Sequence, residues 1–332
     1  MSSSSKENDR PGEFALIAGL FAPLSTSRTA FGLKDDAAIL PQRRGQDIVV
    51  TTDTVTQGVH FLDTDPPDTV ARKALRVNLS DLAAKGATPA GYLMTLSLPA
   101  SIDGKWLRAF ADGLAADQLH FDIGLFGGDT TATPGPTTIT ITAFGFVPKG
   151  RIILRSRARA GDLVFVTGTI GDGAGGLQIA RGERKDLSRV ARNHLLHRFR
   201  VPEPRTTIGP LLRGVANAAL DVSDGLIADL GHISETSGVR IVINARSVPR
   251  SAALHALWGD GPDALARALT GGDDYEIAFT APAKLERKVM RLSARTGVPV
   301  SKIGWVEKGR SVNLRDSAGA PIEIGAGGWA HF

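Results

Sequence analysis

Strand-like and helix-like stretches alternate along this 332-residue chain, and that alternation restricts its fold more than any other feature. Short β-branched or apolar runs predict strands, while apolar residues three or four positions apart predict helices. In the first half, strands are predicted over residues 47–52, 92–98, 123–126 and 137–147, and helices over 69–85 and 105–120. In the second half, strands are predicted over 163–167, 239–244 and 300–306, and helices over 173–181, 228–236 and 285–296.

The turn Pro148-Lys149-Gly150 separates the two halves. A chain this long exceeds what one hydrophobic core of about 250–300 residues serves, so two domains are expected. We predict an α/β fold with an N-terminal domain over 13–149 and a C-terminal domain over 150–332. The Ser-rich, polar segment 1–12 lacks the apolar centre of a secretory signal, and we expect it to be a disordered tail.

Composition excludes several classes of protein. The absence of cysteine rules out disulfides, thiolate metal sites and cysteine nucleophiles, and it suits a cytoplasmic protein. Because the chain lacks an apolar run of roughly 20 residues, we expect no membrane association. The net charge is +5, but aromatic residues make up only 6% and do not alternate with the basic ones. We therefore interpret the basic runs as solvated helix faces and expect no nucleic-acid partner.

Seven aspartates share one local setting, just beyond a strand-like segment or on the turn into a helix. They are Asp35, Asp36, Asp53, Asp81, Asp129, Asp221 and Asp224. Any single one is better explained as a helix cap or turn residue, but that explanation does not suit seven. Asp81 lies within an apolar stretch, where an unpaired carboxylate is costly. Few lysines or arginines lie in these segments, so a metal ion is the better partner.

The predicted metal is a hard one. Since there is no cysteine and His60 is the one histidine near these aspartates in sequence, the ligands are oxygen atoms. An oxygen set favours Mg²⁺ or Mn²⁺ over zinc. Mg²⁺ is commonly shared between a few carboxylates and substrate phosphates, so the aspartates also indicate a phosphate-bearing ligand.

A glycine-rich stretch at 167–176 follows a predicted strand and opens a predicted helix. Backbone N–H groups in such a turn can bind phosphate, or the glycines can serve tight packing of the strand against the helix. The stretch lacks the Gly-Lys-Ser/Thr ending of a P-loop, and the chain lacks a protein-kinase catalytic-loop pattern. Any phosphoryl transfer here uses neither common nucleotide-binding architecture.

These motifs, in this order, resemble the thiamine-monophosphate kinase family of the aminoimidazole-ribonucleotide-synthetase-like (PurM-like) superfamily. The resemblance runs from about Gly12 to the C-terminus. The superfamily shares the aspartate motifs, while three other segments point to this family: Gly58-Val59-His60-Phe61, Gly271-Gly272-Asp273-Asp274-Tyr275-Glu276 and Gly328-Trp329-Ala330-His331-Phe332.

The resemblance implies transfer of the γ-phosphate of ATP to thiamine monophosphate, with several Mg²⁺ ions. It also implies a two-domain PurM-like architecture: an N-terminal sheet domain that forms a barrel with a second subunit, and a C-terminal α/β sandwich. A homodimer is therefore expected. An exposed strand edge over 137–147 would favour the same association.

The resemblance further assigns roles to individual residues. Metal ligands would be Asp35, Thr51, Thr52, Asp53, Asp81, Asp129 and Asp221, with Asp224 on a further ion. ATP would contact Phe121, Gly128, Asp129, Arg155 and Ser223, while thiamine monophosphate would contact His60, Asp273 and Trp329. The family usually has Glu where this chain has Asp273, which shortens the reach of that carboxylate.

Alternatives remain for several of these residues and for the function. His60 could be a polar residue at a strand end, Trp329 a core anchor, and Arg155 a solvated charge. The chain could instead be another PurM-like ATP-dependent enzyme, such as the ring-closing ligase or selenophosphate synthetase. It could also be a catalytically silent nucleotide-binding or RNA-binding protein. The missing cysteine disfavours thiol or selenol chemistry, and the clustered aspartates disfavour a silent protein.

Overall fold

The computed structural model describes residues 12–184 and 186–323, within which the chain divides into two compact units. The first unit contains the chain up to Arg44 together with Val50–Asn78 and Pro89–Gly145. The second contains the chain from Phe146 onward, together with Gly45–Val49 and Leu79–Thr88. The predicted segment 1–12 and Trp329 lie outside the described residues, apart from Gly12.

A four-stranded sheet, with helices beside it in sequence, makes up the first half of the described chain. Its strands are β1 (Gln46–Thr56), β2 (Thr88–Leu98), β3 (Gly124–Ala132) and β4 (Thr138–Pro148), in the order β1-β4-β2-β3. The helices are α1 (Glu13–Leu16), α2 (Pro67–Ala84) and α3 (Gly104–Phe121), with 3-10 turns at Ala22–Leu24 and Arg28–Leu33 and a π turn at Ile17–Phe21. Every strand and helix predicted for the first half is confirmed.

The position of β4 corrects one expectation. We expected residues 137–147 to present an exposed strand edge, but β4 lies between β1 and β2. The two edge strands of this sheet are β1 and β3. Sequence alternation identifies a strand but does not reveal its neighbours, because pairing depends on contacts distant in the chain.

The second half contains a seven-stranded sheet in the order β11-β10-β7-β9-β5-β8-β6. Its strands are β5 (Asp162–Thr167), β6 (Ala218–Val222), β7 (Val239–Asn244), β8 (Glu276–Pro282), β9 (Val300–Lys308), β10 (Ser311–Arg315) and β11 (Pro321–Ile322). The helices are α4 (Asp172–Ala180), α5 (Arg189–Arg200), α6 (Leu226–Ser237), α7 (Ala252–Trp258), α8 (Pro262–Thr270) and α9 (Glu286–Thr296). Each predicted element is confirmed, but β6, β8, β10, β11, α5, α7 and α8 were not predicted.

Both faces of the seven-stranded sheet are buried, because its strands alternate apolar residues between two cores. Val164 and Val166 of β5 contribute to one core with α6, whereas Phe165 between them contributes to the other with α9. Phe165 stacks on Phe279 of β8 with the ring centres 5.2 Å apart. Within the part of the chain that the structure describes, no helix is long and apolar enough to cross a bilayer.

A fully buried carboxylate begins β8. Glu276 accepts hydrogen bonds from Arg205 Nε at 2.6 Å, from Arg198 at 2.8 Å and from the Thr167 hydroxyl at 2.6 Å. Burial alone would raise the pKa of Glu276, but Arg205 and Arg198 outweigh it and hold the pKa below its ordinary value. The Glu276 carboxylate is therefore ionised, and it supplies the counter-charge for Arg198 and Arg205.

We expect Glu276→Gln to lower the free energy of unfolding by about 3–5 kcal/mol, because it leaves two guanidinium groups without their counter-charge. Urea denaturation of both proteins measures the difference. Glu286→Gln is the matched control: Glu286 pairs with Lys302 at 2.7 Å on the exposed surface, where such a pair contributes at most about 1 kcal/mol. Equal losses in the two variants would contradict this account.

Candidate active site

Two predicted metal ligands of the second unit lie together. Asp81 is carried by the last turns of α2 and Asp221 by β6, and the Ser80 hydroxyl hydrogen-bonds to Asp221. Burial, and then the negative charge of Asp81, raise the pKa of Asp221 well above its ordinary value. A carboxylate whose ionisation is opposed by burial and by a neighbouring carboxylate is stabilised by a cation. The all-oxygen donor set of this pair fits Mg²⁺.

Lys85 adds a positive charge that our sequence analysis overlooked. Its ammonium group donates to the Ala219 carbonyl oxygen at 2.9 Å and lies close enough to Asp81 and Asp221 to feel both charges. Burial lowers the pKa of Lys85; Asp221 opposes this shift and Arg155 adds to it. The expectation that few basic residues accompany these aspartates was therefore incomplete. The four-residue spacing from Asp81 to Lys85, which places both on one helix face, was the available signal.

Arg155 belongs to the same group of charges. Its side chain is exposed, and its positive charge contributes to the lowered pKa of Lys85. The Arg155 carbonyl oxygen accepts hydrogen bonds from the hydroxyls of Thr236 and Ser237 at the end of α6, at 3.3 and 3.0 Å. These bonds hold the backbone of an otherwise exposed loop, and the guanidinium lies close enough to Lys85 to affect its pKa.

The loop after β6 carries Ser223 and Asp224. Both of their backbone N–H groups donate to one oxygen of Asp229, each at 3.0 Å. Burial, and then the charge of Asp224, raise the pKa of Asp229 to about 7. Ligand atoms of Asp224, Asp229 and His232 lie within 4.8 Å of one another. Asp229 and His232 were not predicted, although their three-residue spacing on α6 places them on one face.

Asp273 stands beside this loop. Its backbone N–H donates to the Ser223 carbonyl oxygen at 2.9 Å. The backbone N–H of Tyr275 donates to the Val222 carbonyl oxygen at 2.8 Å. The predicted ATP-binding and substrate-binding residues Ser223 and Asp273 are thus joined through their main chains. Together with Asp81, Asp221, Asp224 and Arg155, they are the predicted residues that the second unit brings to one region.

The glycine-rich turn at 168–173 holds a buried carboxyl group. The buried Asp274 carboxylate accepts the N–H of Gly171 at 2.7 Å and that of Gly173 at 3.1 Å, at the start of α4. A Cβ atom at Gly173 would collide with the main chain of Asp273. Of the two interpretations of these glycines, tight packing is the one that the structure supports, since the amides that would bind a phosphate are taken.

In the first unit, β1 separates its predicted ligands onto two faces. Its residues alternate between exposed and more buried positions, so Thr51 and Asp53 share one face and Thr52 lies on the other. The Thr52 hydroxyl donates to the Ile141 carbonyl oxygen at 3.2 Å and lies 3.1 Å from that of Thr142 on β4. An ion on the Asp53 side would therefore meet the main chain of Thr52 and not its hydroxyl.

Asp35 and Asp129 lie at two exposed positions. Each carboxylate accepts the backbone N–H of the following residue, at 2.8 Å for Asp35 and 2.9 Å for Asp129. Asp129 is on the edge strand β3 and Asp53 on the opposite edge strand β1. Beside Asp129, a Cβ atom at Gly128 would collide with the Met94 carbonyl oxygen of β2, so this position requires glycine.

Phe121 is held by a neighbouring side chain, and the His60 ring by a main-chain N–H group. The Arg76 guanidinium lies over the Phe121 ring at 5.0 Å and is itself paired with buried Asp117. His60 Nδ1 accepts the Thr56 N–H at 3.1 Å, so its neutral ring carries hydrogen on Nε2. Phe121 therefore has one face covered by a cation, and His60 offers a donor at Nε2.

Comparison with known proteins identifies the family. Residues 34–147 match the N-terminal domain of AIR synthase related protein, and residues 159–317 match its C-terminal domain. The chain is 42% identical to the thiamine-monophosphate kinase of Caulobacter vibrioides over 325 residues, which cover 97% of this chain and 91% of that one. The chain belongs to the thiamine-monophosphate kinase family.

Solved structures of this family have the same fold. The thiamine-monophosphate kinase of Stenotrophomonas maltophilia superposes with a TM-score of 0.79 at 42% identity, covering 85% of this chain and 89% of that one. AaThiL complexed with AMPPCP and TMP gives a TM-score of 0.77 at 31% identity, covering 97% of each chain. The predicted α/β architecture of the PurM-like type is confirmed.

Burial and the charge of Asp81 both oppose ionisation of Asp221. We expect Asp221→Asn, with chelator present, to raise the unfolding temperature by about 2–4 °C, because a buried carboxyl group whose ionisation is opposed by its surroundings is removed. Added Mg²⁺ should stabilise this variant less than the unaltered protein. Thermal unfolding with chelator and with Mg²⁺ tests both statements. Asp112→Asn, at an exposed position of α3, should change neither, and a destabilised Asp221→Asn would contradict the prediction.

Proposed function

We propose that this chain transfers the γ-phosphate of ATP to thiamine monophosphate, which yields ADP and thiamine diphosphate. The observation that carries the proposal is the convergence of Asp81 and Asp221 beside Lys85 and Arg155 in a member of the thiamine-monophosphate kinase family. The fold shared with AaThiL complexed with AMPPCP and TMP supports the same substrates.

Several Mg²⁺ ions would serve as the metal. When bound, they supply positive charge that screens the phosphates and holds the reacting groups in line. The residues proposed to hold them are Asp35, Thr51, Thr52, Asp53, Asp81, Asp129 and Asp221, with Asp224 on a further ion. In the first unit, Thr52 would contribute its main-chain oxygen, because its hydroxyl is on the opposite face of β1.

The chain's own residues mainly reduce repulsion between two polyanions. The acceptor phosphate has a second pKa of about 6 and is mostly ionised at neutral pH, so the reaction needs no general base. Arg155 would neutralise phosphate charge, while Lys85, held by Ala219, would balance Asp81 and Asp221. We propose that Gly128, Asp129, Ser223 and Phe121 contact ATP.

The thiamine end of thiamine monophosphate would contact hydrogen-bond donors and acceptors of the chain. His60 would donate from Nε2, since its Nδ1 already accepts the Thr56 N–H. The Asp273 carboxylate would accept from, or attract, the electron-poor rings of the thiamine group, which carry a positive charge and an amino group. Trp329 is proposed as a ring contact, by resemblance alone.

We also propose a homodimer in the cytoplasm. The exposed face of β1 presents Ile48 and Val50, which are 42% and 60% exposed, and Leu93 of β2 is 42% exposed. Apolar side chains in a row on one sheet face favour pairing with the sheet of a second copy. The absence of cysteine is consistent with a reducing compartment.

The reaction is tested by measuring ADP and thiamine diphosphate from ATP, Mg²⁺ and thiamine monophosphate. We expect equal amounts of both products, reduced about a hundredfold or more by Asp81→Asn and unchanged by Asp112→Asn. Thiamine and buffer alone serve as acceptor controls. ADP release that ignores thiamine monophosphate would assign a different acceptor, and no ADP at all would indicate a silent protein.

The transfer should be direct, without a phosphoenzyme. After incubation with ATP labelled in the γ-phosphate and Mg²⁺ but no acceptor, we expect no label to remain on the denatured protein. The reason is that an ionised acceptor phosphate can attack ATP itself once its charge is screened. Stoichiometric label that persists in acid but is released by base or hydroxylamine would reverse this conclusion and make one of the aspartates a nucleophile.

A further inference from the structure

We propose that Tyr275 is a positioning residue that fixes the Asp273 carboxylate for thiamine monophosphate. This inference rests on the function proposed above. The Tyr275 hydroxyl donates to Asp273 Oδ1 at 3.1 Å. Tyr275 is buried whereas Asp273 is half-buried. A fixed ring therefore presents its hydroxyl to a carboxylate at the edge of the unit's interior.

The backbone around the pair has a conformation that few side chains adopt. Asp273 has a φ of 69° and Tyr275 a φ of 53°, both in the left-handed region that favours glycine. Such conformations persist only where the surroundings impose them, and they concentrate at functional sites. In this segment they fold the chain so that side chains two residues apart meet through a hydrogen bond.

Three sets of contacts impose that conformation. The Asp273 N–H donates to Ser223 in the loop after β6, and the Tyr275 N–H donates to Val222 at the end of that strand. Between them, the Asp274 carboxyl group accepts the N–H groups of Gly171 and Gly173. Arg198 donates to the Asp274 carbonyl oxygen at 2.9 Å. With the backbone held, the two side-chain torsions of Asp273 remain to be set, and the bond from the Tyr275 hydroxyl restricts them.

The short side chain at position 273 gives this bond its importance. An aspartate carboxylate reaches only a short distance from the backbone, so small changes in its direction matter for contact with the substrate. Because Oδ1 accepts from Tyr275, the plane of the carboxylate is defined before the substrate arrives. Such preorganisation lowers the cost of binding without adding a contact to the ligand.

The test is Tyr275→Phe, which keeps the ring and removes the hydroxyl. We expect the KM for thiamine monophosphate to rise about tenfold, with kcat changed less and the KM for ATP unchanged, because one hydrogen bond to a charged group is lost. A protein that was merely destabilised would not separate the two KM values. The matched control is Tyr92→Phe: the Tyr92 hydroxyl accepts from Gln118 within the first unit at 2.9 Å, and its loss should leave both KM values unchanged.

A double-variant cycle tests whether Tyr275 acts through Asp273. In an Asp273→Asn background, Tyr275→Phe should raise the KM for thiamine monophosphate by less than twofold. An unchanged KM in Tyr275→Phe, or the same rise with and without Asp273, would overturn the inference. If the unaltered protein does not phosphorylate thiamine monophosphate, the proposed function itself fails, which is a distinct result.

Discussion

The bond between the Asp274 carboxylate and the amides of the glycine-rich turn is the contact on which the second unit's site depends. It joins the end of β5 to the segment before β8, which are distant in sequence. Glu276, with Arg198 and Arg205, fixes the far side of the same segment. Tyr275 lies between these two anchors and Asp273 directly precedes the first, while the Ser223 carbonyl oxygen accepts the Asp273 N–H. Buried carboxyl groups and their partners thus place the residues proposed to bind substrates.

Two opposing requirements meet in this unit. The cores on the two faces of the seven-stranded sheet stabilise the fold by burying apolar side chains. The buried Asp221 carboxyl group opposes this stabilisation within the same unit, because burial and Asp81 both disfavour its ionisation. Proteins commonly accept such local destabilisation where a charged ligand will relieve it. Lys85 offsets part of the cost, because its positive charge lies near both Asp81 and Asp221.

The sequence predicted what depends on local pattern and missed what depends on distant contacts. Elements with clear periodicity, such as α2 and β7, were predicted close to their observed bounds. The short strand β6 was missed because its five residues include an aspartate and show no alternation. Lys85 could have been found from its spacing to Asp81. Tyr275 could not, because its contact requires two left-handed residues imposed by loops elsewhere in the chain.

The alternation of β1 limits how that strand can evolve. Its odd-numbered positions carry Thr51 and Asp53, whereas its even-numbered positions carry the exposed Ile48, Val50 and Thr52. Substitutions on one face can accumulate without disturbing the other, because each face contacts different neighbours. Insertion or deletion of one residue exchanges the two sets at once. Substitutions in β1 should therefore be tolerated more readily than insertions or deletions. We expect the length of this strand to stay constant during evolution.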